Sequence, residues 1–164
     1  MLRFVFTDID NNSVNFSGAL SVSINKEEGV PADDMVAVFP YSSVKELKSV
    51  VVYDDDDIVF TGVVDEQIVS VKANLATLKI CARSMAALLL DNESVPVSYN
   101  YPSKNVVVRN HAELFGIKAT DKSPATYFGT QTVAKGSTNW QALNTFSKNV
   151  YGRGVRINEC GKLL

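Results

Sequence analysis

Polar and apolar residues alternate in several short segments of the first 85 residues, and residues 50–66 show the pattern most clearly. Two runs of β-branched and aromatic residues flank four adjacent aspartates there. Burial of adjacent like charges is costly, so the four aspartates must lie in water. The segment predicts a β-hairpin with arms at residues 50–53 and 58–64 and a solvated tip at residues 54–57. Gly62, inside the second arm, predicts a bulge or the close approach of another backbone.

Further alternation predicts more strands around this hairpin. Leu2, Phe4 and Phe6 mark the first strand, and a turn follows at residues 8–13. The remaining strand predictions fall at residues 16–24, 35–40, 67–71 and 75–82, with a polar connection at 26–34 and a turn at 72–74. Residues 42–48 fit either one helical turn or an irregular approach to the hairpin. Five to seven closely spaced strands are typical of a small barrel or sandwich.

The pattern changes at Arg83. The sequence S-M-A-A-L-L-L-D predicts a short helix that is capped by Ser84 and closes the β unit. A polar, proline-bearing connector follows at residues 91–103, and we place the domain boundary there. The predicted domains are residues 1–92, a β-barrel with its closing helix, and residues 93–164, an α+β domain.

Two longer helices are predicted in the second domain. The first covers residues 104–115, with Gly116 as its stop and a stripe made by Val107, Asn110, His111 and Leu114. A strand is predicted at residues 126–133. Ser137 or Thr138 then caps a helix that ends at Gly152 and has Trp140, Leu143, Phe146, Ser147 and Val150 at helical spacing. Residues 155–164 resemble a hairpin whose second arm has only begun, which predicts an incomplete second domain. The fold class is mainly β with α (α+β).

Composition narrows the class of protein. The chain has 164 residues, 46% hydrophobic and 21% charged, with a net charge of −2. This is ordinary globular composition, and it lacks the clustered Lys and Arg that nucleic acids or anionic membranes require of a partner. Cys81 and Cys160 are predicted to be free thiols in a reduced compartment. The start of the chain does not have the pattern of a signal peptide, and no apolar run approaches ~20 residues, so we expect a soluble protein that folds in the cytoplasm.

The candidate chemistry is sparse. His111 is the only histidine, so any Ser-His or Cys-His mechanism would have to use it. The more common alternative to such a catalytic role is a histidine on the surface or on the flank of a helix. One histidine and two distant cysteines cannot form a four-ligand zinc site. The segment G-T-Q-T-V-A-K-G-S lacks the spacing of a P-loop, since Lys135 precedes its glycine.

Carboxylates and aromatic residues complete the candidates. Asp54 to Asp57, Asp65 and Glu66 form the richest carboxylate cluster, but a solvated turn provides no desolvation to shape a general acid. The hexamer D-I-D-N-N-S begins like a calcium loop, with Ser13 in place of the glycine and Ala19 in place of the glutamate. Tyr99 and Tyr101 fit sugar stacking or the cover of a core edge, and Trp140 fits a core anchor. The prediction is no catalytic, cofactor-binding or metal residue, no cofactor, and no enzyme.

Four segments carry a resemblance to a known family. They are D-D-I-V-F-T-G-V-V-D-E, L-K-I-C-A-R-S-M-A-A-L-L-L-D-N-E, R-N-H-A-E-L-F-G-I-K and K-G-S-T-N-W-Q-A-L-N-T-F-S-K-N-V-Y-G. In this order they resemble the N-terminal half of phage baseplate hub proteins, the late-control-protein-D-like components of contractile tails and tail-like bacteriocins. Members of that family usually run on through further domains.

The resemblance implies a structural role. Hub proteins of this family form a trimeric ring that joins the tail tube to the central spike, and their N-terminal β domain resembles a tail-tube subunit. The expected partners are therefore further copies of the chain, a tail tube protein and a spike protein, without specific nucleic-acid or membrane binding. The expected location is the cytoplasm of the bacterial host during assembly, then the tail baseplate. One alternative is a β-rich extracellular module that binds glycans or cell surfaces. The other is a non-catalytic part of a tail-tip cell-wall hydrolase.

Overall fold

The computed structural model describes residues 1–27, 29–72 and 75–164. The chain divides into two compact units: residues 1–85 with 159–161, and residues 86–158 with 162–164. The described secondary structure is mostly β with a few helices, which confirms the α+β class. None of the described helices combines the length and the apolar character needed to span a bilayer.

The first unit is built on one seven-stranded antiparallel sheet of order β2-β1-β5-β6-β7-β4-β3. Its strands are β1 (Leu2–Asp8), β2 (Ser13–Phe16), β3 (Ser21–Asn25), β4 (Asp34–Pro40), β5 (Leu47–Asp54), β6 (Asp57–Lys72) and β7 (Leu75–Ser84). Alternate side chains enter a single core, as the period-two pattern requires. Phe4, Phe6, Phe39 and Phe60 are the largest members of that core.

The sheet of the first unit curls back on itself. Its two edge strands, β2 and β3, are joined by residues 17–20 alone, which reach about 18 Å when extended. A flat seven-stranded sheet would hold its edges about 29 Å apart. Aromatic contacts cross the fold accordingly: Phe16 of β2 lies 4.9 Å from Phe39 of β4, and Phe4 of β1 lies 5.0 Å from the same ring. Among the described strands the hydrogen-bonded ladder stays open between β2 and β3.

The predicted hairpin with its solvated tip is confirmed. Strands β5 and β6 pair from Asp54↔Asp57 to Ser49↔Val63, and all four aspartates are exposed. Gly62 is the site of close backbone approach: a Cβ there would lie 2.2 Å from the Arg83 carbonyl oxygen. The irregularities of β6 occur instead at Val59, where the register with β5 shifts, and between Val64 and Glu66, where the register with β7 shifts.

The second unit contains α1 (Ala86–Asp91), β8 (Val97–Asn100), α2 (Lys104–His111), a 3₁₀ turn (Glu113–Phe115), β9 (Thr130–Val133) and α3 (Asn139–Tyr151). Strands β8 and β9 pair antiparallel. Helix α3 begins with a capping box between Thr138 and Gln141 and ends at Gly152 in the left-handed conformation. Thr138 is thus one of the two predicted caps. Of the residues noted at helical spacing, Trp140, Leu143, Phe146 and Ser147 are buried and Val150 is half-buried.

Several sequence predictions for the first unit need correction. Residues 16–24 are not one strand, because the chain leaves β2 after Phe16 and crosses to the opposite edge of the sheet before β3. Ser84 ends β7 and does not cap α1; its hydroxyl accepts the Asp33 N–H, and its own N–H donates to the Asp33 carbonyl. Residues 42–46 are irregular, and residues 67–71 continue β6 as one strand. Most of the turn predicted at residues 72–74 falls outside the described residues.

The second unit brings further corrections. Residues 97–100 of the predicted connector form β8, since their alternating residues pair with β9. Helix α2 ends at His111 and tightens into the 3₁₀ turn, which rotates Leu114 out of the predicted stripe and leaves it exposed. Gly116 follows in the left-handed conformation as the predicted stop. The strand predicted at residues 126–133 is limited to β9. Residues 155–164 form a minimal hairpin, as predicted, with an antiparallel bridge between Ile157 and Leu163. Helix α1 lies in the second unit, and the division into domains 1–92 and 93–164 stays a prediction.

Candidate functional site

His111 lies inside the second unit, in a cluster of polar side chains. Its Nδ1 is 3.1 Å from the Ser94 hydroxyl and 3.0 Å from Oδ1 of Asn139, and its Nε2 is 3.1 Å from the Tyr99 hydroxyl. Asn110 donates to that hydroxyl at 3.1 Å, and the Tyr99 ring meets the imidazole edge to face. The cluster therefore ties helices α2 and α3 to β8 and the segment before it.

The hydrogen bonds fix the form of the imidazole. Oδ1 of Asn139 can only accept, because its amide nitrogen donates to the Asn92 carbonyl, so Nδ1 of His111 carries the proton. Nε2 then accepts from Tyr99. In this tautomer the nitrogen that faces Ser94 cannot take a proton from its hydroxyl, and Ser94 is itself buried. The cluster holds the second unit together and does not form a nucleophile and base pair.

The expectation of a surface or helix-flank histidine is wrong, since only 2% of His111 is exposed. Burial lowers the pKa of His111 below its ordinary value, and the Asn139 side chain offsets that effect in part. No sequence pattern pointed to Ser94 or Asn139, which lie 17 and 28 residues away from His111 along the chain. Only the tertiary fold brings these two residues to the His111 imidazole.

The acidic candidates are scattered through the first unit. The N-terminal ammonium of Met1 contacts Asp54 at 3.1 Å and Asp55 at 2.6 Å. This contact lowers the pKa of the Asp55 carboxyl. The Asp65 carboxylate accepts hydrogen bonds from Nε and Nη2 of Arg83, at 2.8 and 2.9 Å. These carboxylates serve ion pairs and a solvated turn, and they do not converge on one pocket.

The residues that resemble the start of a calcium loop form a tight turn. Oδ1 of Asp8 accepts the backbone N–H groups of Asp10 and Asn12 at 2.9 and 2.8 Å, and Oδ2 accepts the Asn12 side chain. These donors, the Asn12 N–H foremost, hold the pKa of Asp8 below its usual range. The carboxylate of Asp8 is thus engaged by its own turn.

The remaining sequence candidates occupy separate places. Cys81 and Cys160 are free thiols, as predicted. Trp140 is buried and is a core anchor of α3, as predicted. Tyr101 is exposed with φ at +50°, whereas Tyr99 covers His111. Lys135 lies in the turn between β9 and α3.

An open cleft of about 420 Å³ crosses the surface of the second unit. Helix α2 forms one wall and residues 117–122 form the other. Six charged side chains line it: Lys104, Arg109, Glu113, Lys118, Asp121 and Lys122. Four of them are cationic and two are acidic, which leaves a net charge of +2.

Lys104 is the buried member of the cleft. Its ammonium pairs with Asp121 at 2.9 Å, and the Asp121 side chain remains mostly exposed. Hydrogen bonds from Ser123 and Lys104 together hold the pKa of Asp121 well below its usual range. Within the described residues, Arg109, Lys118 and Lys122 form no ion pair, so their charges face the solvent of the cleft.

A second exposed feature is the outer part of β6 and β7 in the first unit, residues 66–72 and 75–77, which we name the arm. Strand β5 stops pairing with β6 at Val63, so in the described part of the chain the arm residues of β6 pair only with β7. Four apolar side chains of the arm face solvent: Ile68, Val69, Val71 and Leu75 are 39%, 51%, 72% and 61% exposed. Unpaired strand edges with apolar side chains are typical of protein contacts.

Comparisons with known proteins give matches at the level of structure. No protein-family model matches the sequence, and no curated protein does. The tail protein from Neisseria meningitidis MC58 matches with a TM-score of 0.73 and 19% identity, over 99% of this chain and 49% of that one. The 43 kDa tail protein of prophage MuSo2 from Shewanella oneidensis matches with a TM-score of 0.74 and 19% identity, over 98% and 53%. Prophage tail protein gp18 from Listeria monocytogenes EGD-e matches with a TM-score of 0.58 and 12% identity, over 98% and 49%.

These matches cover both units of the chain, while the chain spans about half the length of each tail protein. At identities of 12% to 19% the likeness concerns the fold and assigns no residue a role. The polypeptide thus has the fold of one half of a prophage tail protein.

Proposed function

We propose that this chain is a structural component of a phage tail or tail-like particle, and specifically a baseplate hub that joins the tail tube to the central spike. The observation that carries the proposal is the likeness to prophage tail proteins over nearly the whole chain. The order of the four sequence segments supports the hub in particular. In this proposal the first unit is a small barrel that imitates a tube subunit, and three copies form the ring.

The exposed surfaces of the first unit support an assembly role. Subunits of a ring need heterologous contacts that close by rotation. The open edges of the curled sheet and the apolar arm offer backbone groups and side chains that a neighbouring subunit or a tube protein can cover. The partners are accordingly further copies of the chain, the tube protein and the spike. Assembly takes place in the host cytoplasm before the protein enters the tail.

The proposal is tested by binding to purified tail tubes, with the oligomeric state followed by light scattering and negative-stain imaging. Val71→Asp places a charge on the arm and is expected to reduce tube binding or ring formation at least tenfold, about 1.4 kcal/mol. Val95→Asp is the matched control, because Val95 is similarly exposed but lies in the second unit. Both variants should keep the circular dichroism spectrum of the parent.

Two results would count against the hub. A chain that neither forms rings nor binds tubes contradicts it, and a monomer that is stabilised by glycans would favour the binding-module alternative. Equal behaviour of the two variants would exclude the arm as the contact surface.

A further inference from the structure

The cleft of the second unit and the tip of the β5–β6 hairpin in the first unit carry opposite charge. The cleft has a net charge of +2, with Arg109, Lys118 and Lys122 unpaired among the described residues. The tip has four adjacent carboxylates on a two-residue turn. Because the whole chain has a net charge of only −2, these are local concentrations of charge and not a general excess.

The tip is narrow and acidic. Met1 neutralises part of the charge of Asp54 and Asp55, and Asp56 and Asp57 form no ion pair with any described residue. A two-residue β-turn is the narrowest end that a sheet can present. The cleft volume of about 420 Å³ lies within the range of pockets that hold a small ligand or a few side chains.

We propose that the cationic cleft of one copy binds the acidic hairpin tip of a second copy. This inference rests on the proposed function, since it names the surfaces through which the subunits of the ring meet. The contact joins two different surfaces, as a heterologous interface requires, and successive copies then form a ring if the rotation closes. Asp56 and Asp57 would pair with Lys118 and Lys122, while the existing pair of Lys104 and Asp121 fixes the cleft wall.

Electrostatic pairing predicts how the contact behaves. Opposite charges speed and orient association, and like charges placed across the same surface oppose it. Because the paired groups are exposed in the free chain, salt should weaken the contact by screening. Association is therefore expected to fall steadily as the sodium chloride concentration rises.

The test uses two charge-reversal variants of the full chain. One is Lys118→Glu with Lys122→Glu, and the other is Asp56→Lys with Asp57→Lys. Each variant alone should lose self-association at least tenfold in sedimentation velocity at low salt, and a chain that carries all four substitutions should regain it, because its reversed cleft and tip are again complementary. The matched control, Glu27→Lys with Glu46→Lys, makes the same change in net charge as the tip variant at exposed positions outside the tip and should associate like the parent.

The outcomes separate this inference from the proposed function. If all variants form rings equally well, the pairing of cleft and tip is wrong, and the hub proposal is unaffected. A parent chain that stays monomeric at every concentration, but still binds tail tubes, also overturns the pairing alone. Loss in both variants without recovery in the chain that carries all four substitutions overturns it too, because its reversed charges should then attract. Failure of both ring formation and tube binding would contradict the hub itself.

Discussion

His111 is the only imidazole of the chain, and each of its ring nitrogens already has a hydrogen-bonding partner inside the second unit. Protonation would place a second N–H opposite the Tyr99 hydroxyl and a positive charge in a buried site. Burial therefore makes the neutral ring the stable form of the folded chain. Stability should follow the titration of this one residue in the mildly acidic range.

The first prediction concerns this titration. The pKa of His111 is lowered in the folded state, so the unfolded chain binds the proton first as the pH falls. The contribution of His111 to the free energy of unfolding should be constant above about pH 6.5 and should then fall towards the folded-state pKa. The slope for one proton is at most about 1.4 kcal/mol per pH unit. Urea unfolding between pH 7.5 and 5 measures it, and His111→Gln should remove the His111 contribution to the slope. An unchanged slope in that variant would contradict the prediction.

Gly62 leaves no room for a side chain. A methyl group there would collide with the Arg83 carbonyl of the neighbouring strand and with the Phe60 ring, and the backbone atom cannot move without breaking the ladder. Gly62→Ala should therefore lower the free energy of unfolding by about 1–3 kcal/mol. Gly18→Ala provides the comparison, since Gly18 has a positive φ but open space around it. Thermal unfolding should show the larger loss of stability for Gly62→Ala. A larger loss for Gly18→Ala would mean that strain at a positive φ outweighs the steric collision.

At the scale of elements, the turn of the β5–β6 hairpin is adapted to water and not to packing. Asp55 has φ at +52°, a conformation that Asn and Gly tolerate well, and its ion pair with Met1 is fully exposed. Asp55→Asn with Asp56→Gly keeps residues that tolerate a positive φ and a tight turn, and it removes like-charge repulsion. The free energy of unfolding should stay the same or rise. A loss above about 2 kcal/mol in chemical denaturation would show that the aspartates have buried partners. Glu27→Gln with Glu46→Gln, which removes the same charge elsewhere, is the control.

Helix α3 anchors the second unit through its buried face. Trp140→Ala should lower the free energy of unfolding of that unit by roughly 3–5 kcal/mol, because it leaves a large cavity beside Leu143 and Phe146. Thr145→Ala, on the exposed face of the same helix, should change it by less than about 0.5 kcal/mol. Since Trp140 is the only tryptophan, unfolding of the first variant must be followed by circular dichroism. Similar losses in both variants would contradict the anchor role.

At the scale of the whole molecule, two cores imply two cooperative units. The single tryptophan lies in the second unit, and the seven-stranded sheet lies in the first. We expect urea unfolding followed by Trp140 fluorescence to have a different midpoint from the far-ultraviolet circular dichroism of the sheet. Leu143→Ala should shift the fluorescence midpoint alone. Coincident midpoints in the parent and the variant would mean that the chain unfolds as one unit.

The sequence predicted those elements whose cause is local. Four adjacent aspartates force a solvated turn wherever they stand, and Thr138 with Gln141 forms a cap from residues three positions apart. Alternation along β1 and β7 likewise predicts a strand and its buried face without reference to its neighbours. The candidate site was much less predictable, because the His111 cluster and the cationic cleft assemble residues from separate segments.

By itself, then, the sequence determined the α+β class, the hairpin with its acidic tip, the cap of α3 and the burial of Trp140, because these depend on charge repulsion, short-range hydrogen bonds and periodic apolar positions. Only the tertiary structure decided that residues 16–24 divide between opposite edges of the sheet, that Ser84 bonds to Asp33, and that His111 is buried. Period-two alternation shows which residues share a face but not which strand will pair beside them. That choice depends on long-range packing, and it also decides which surfaces remain open to a partner.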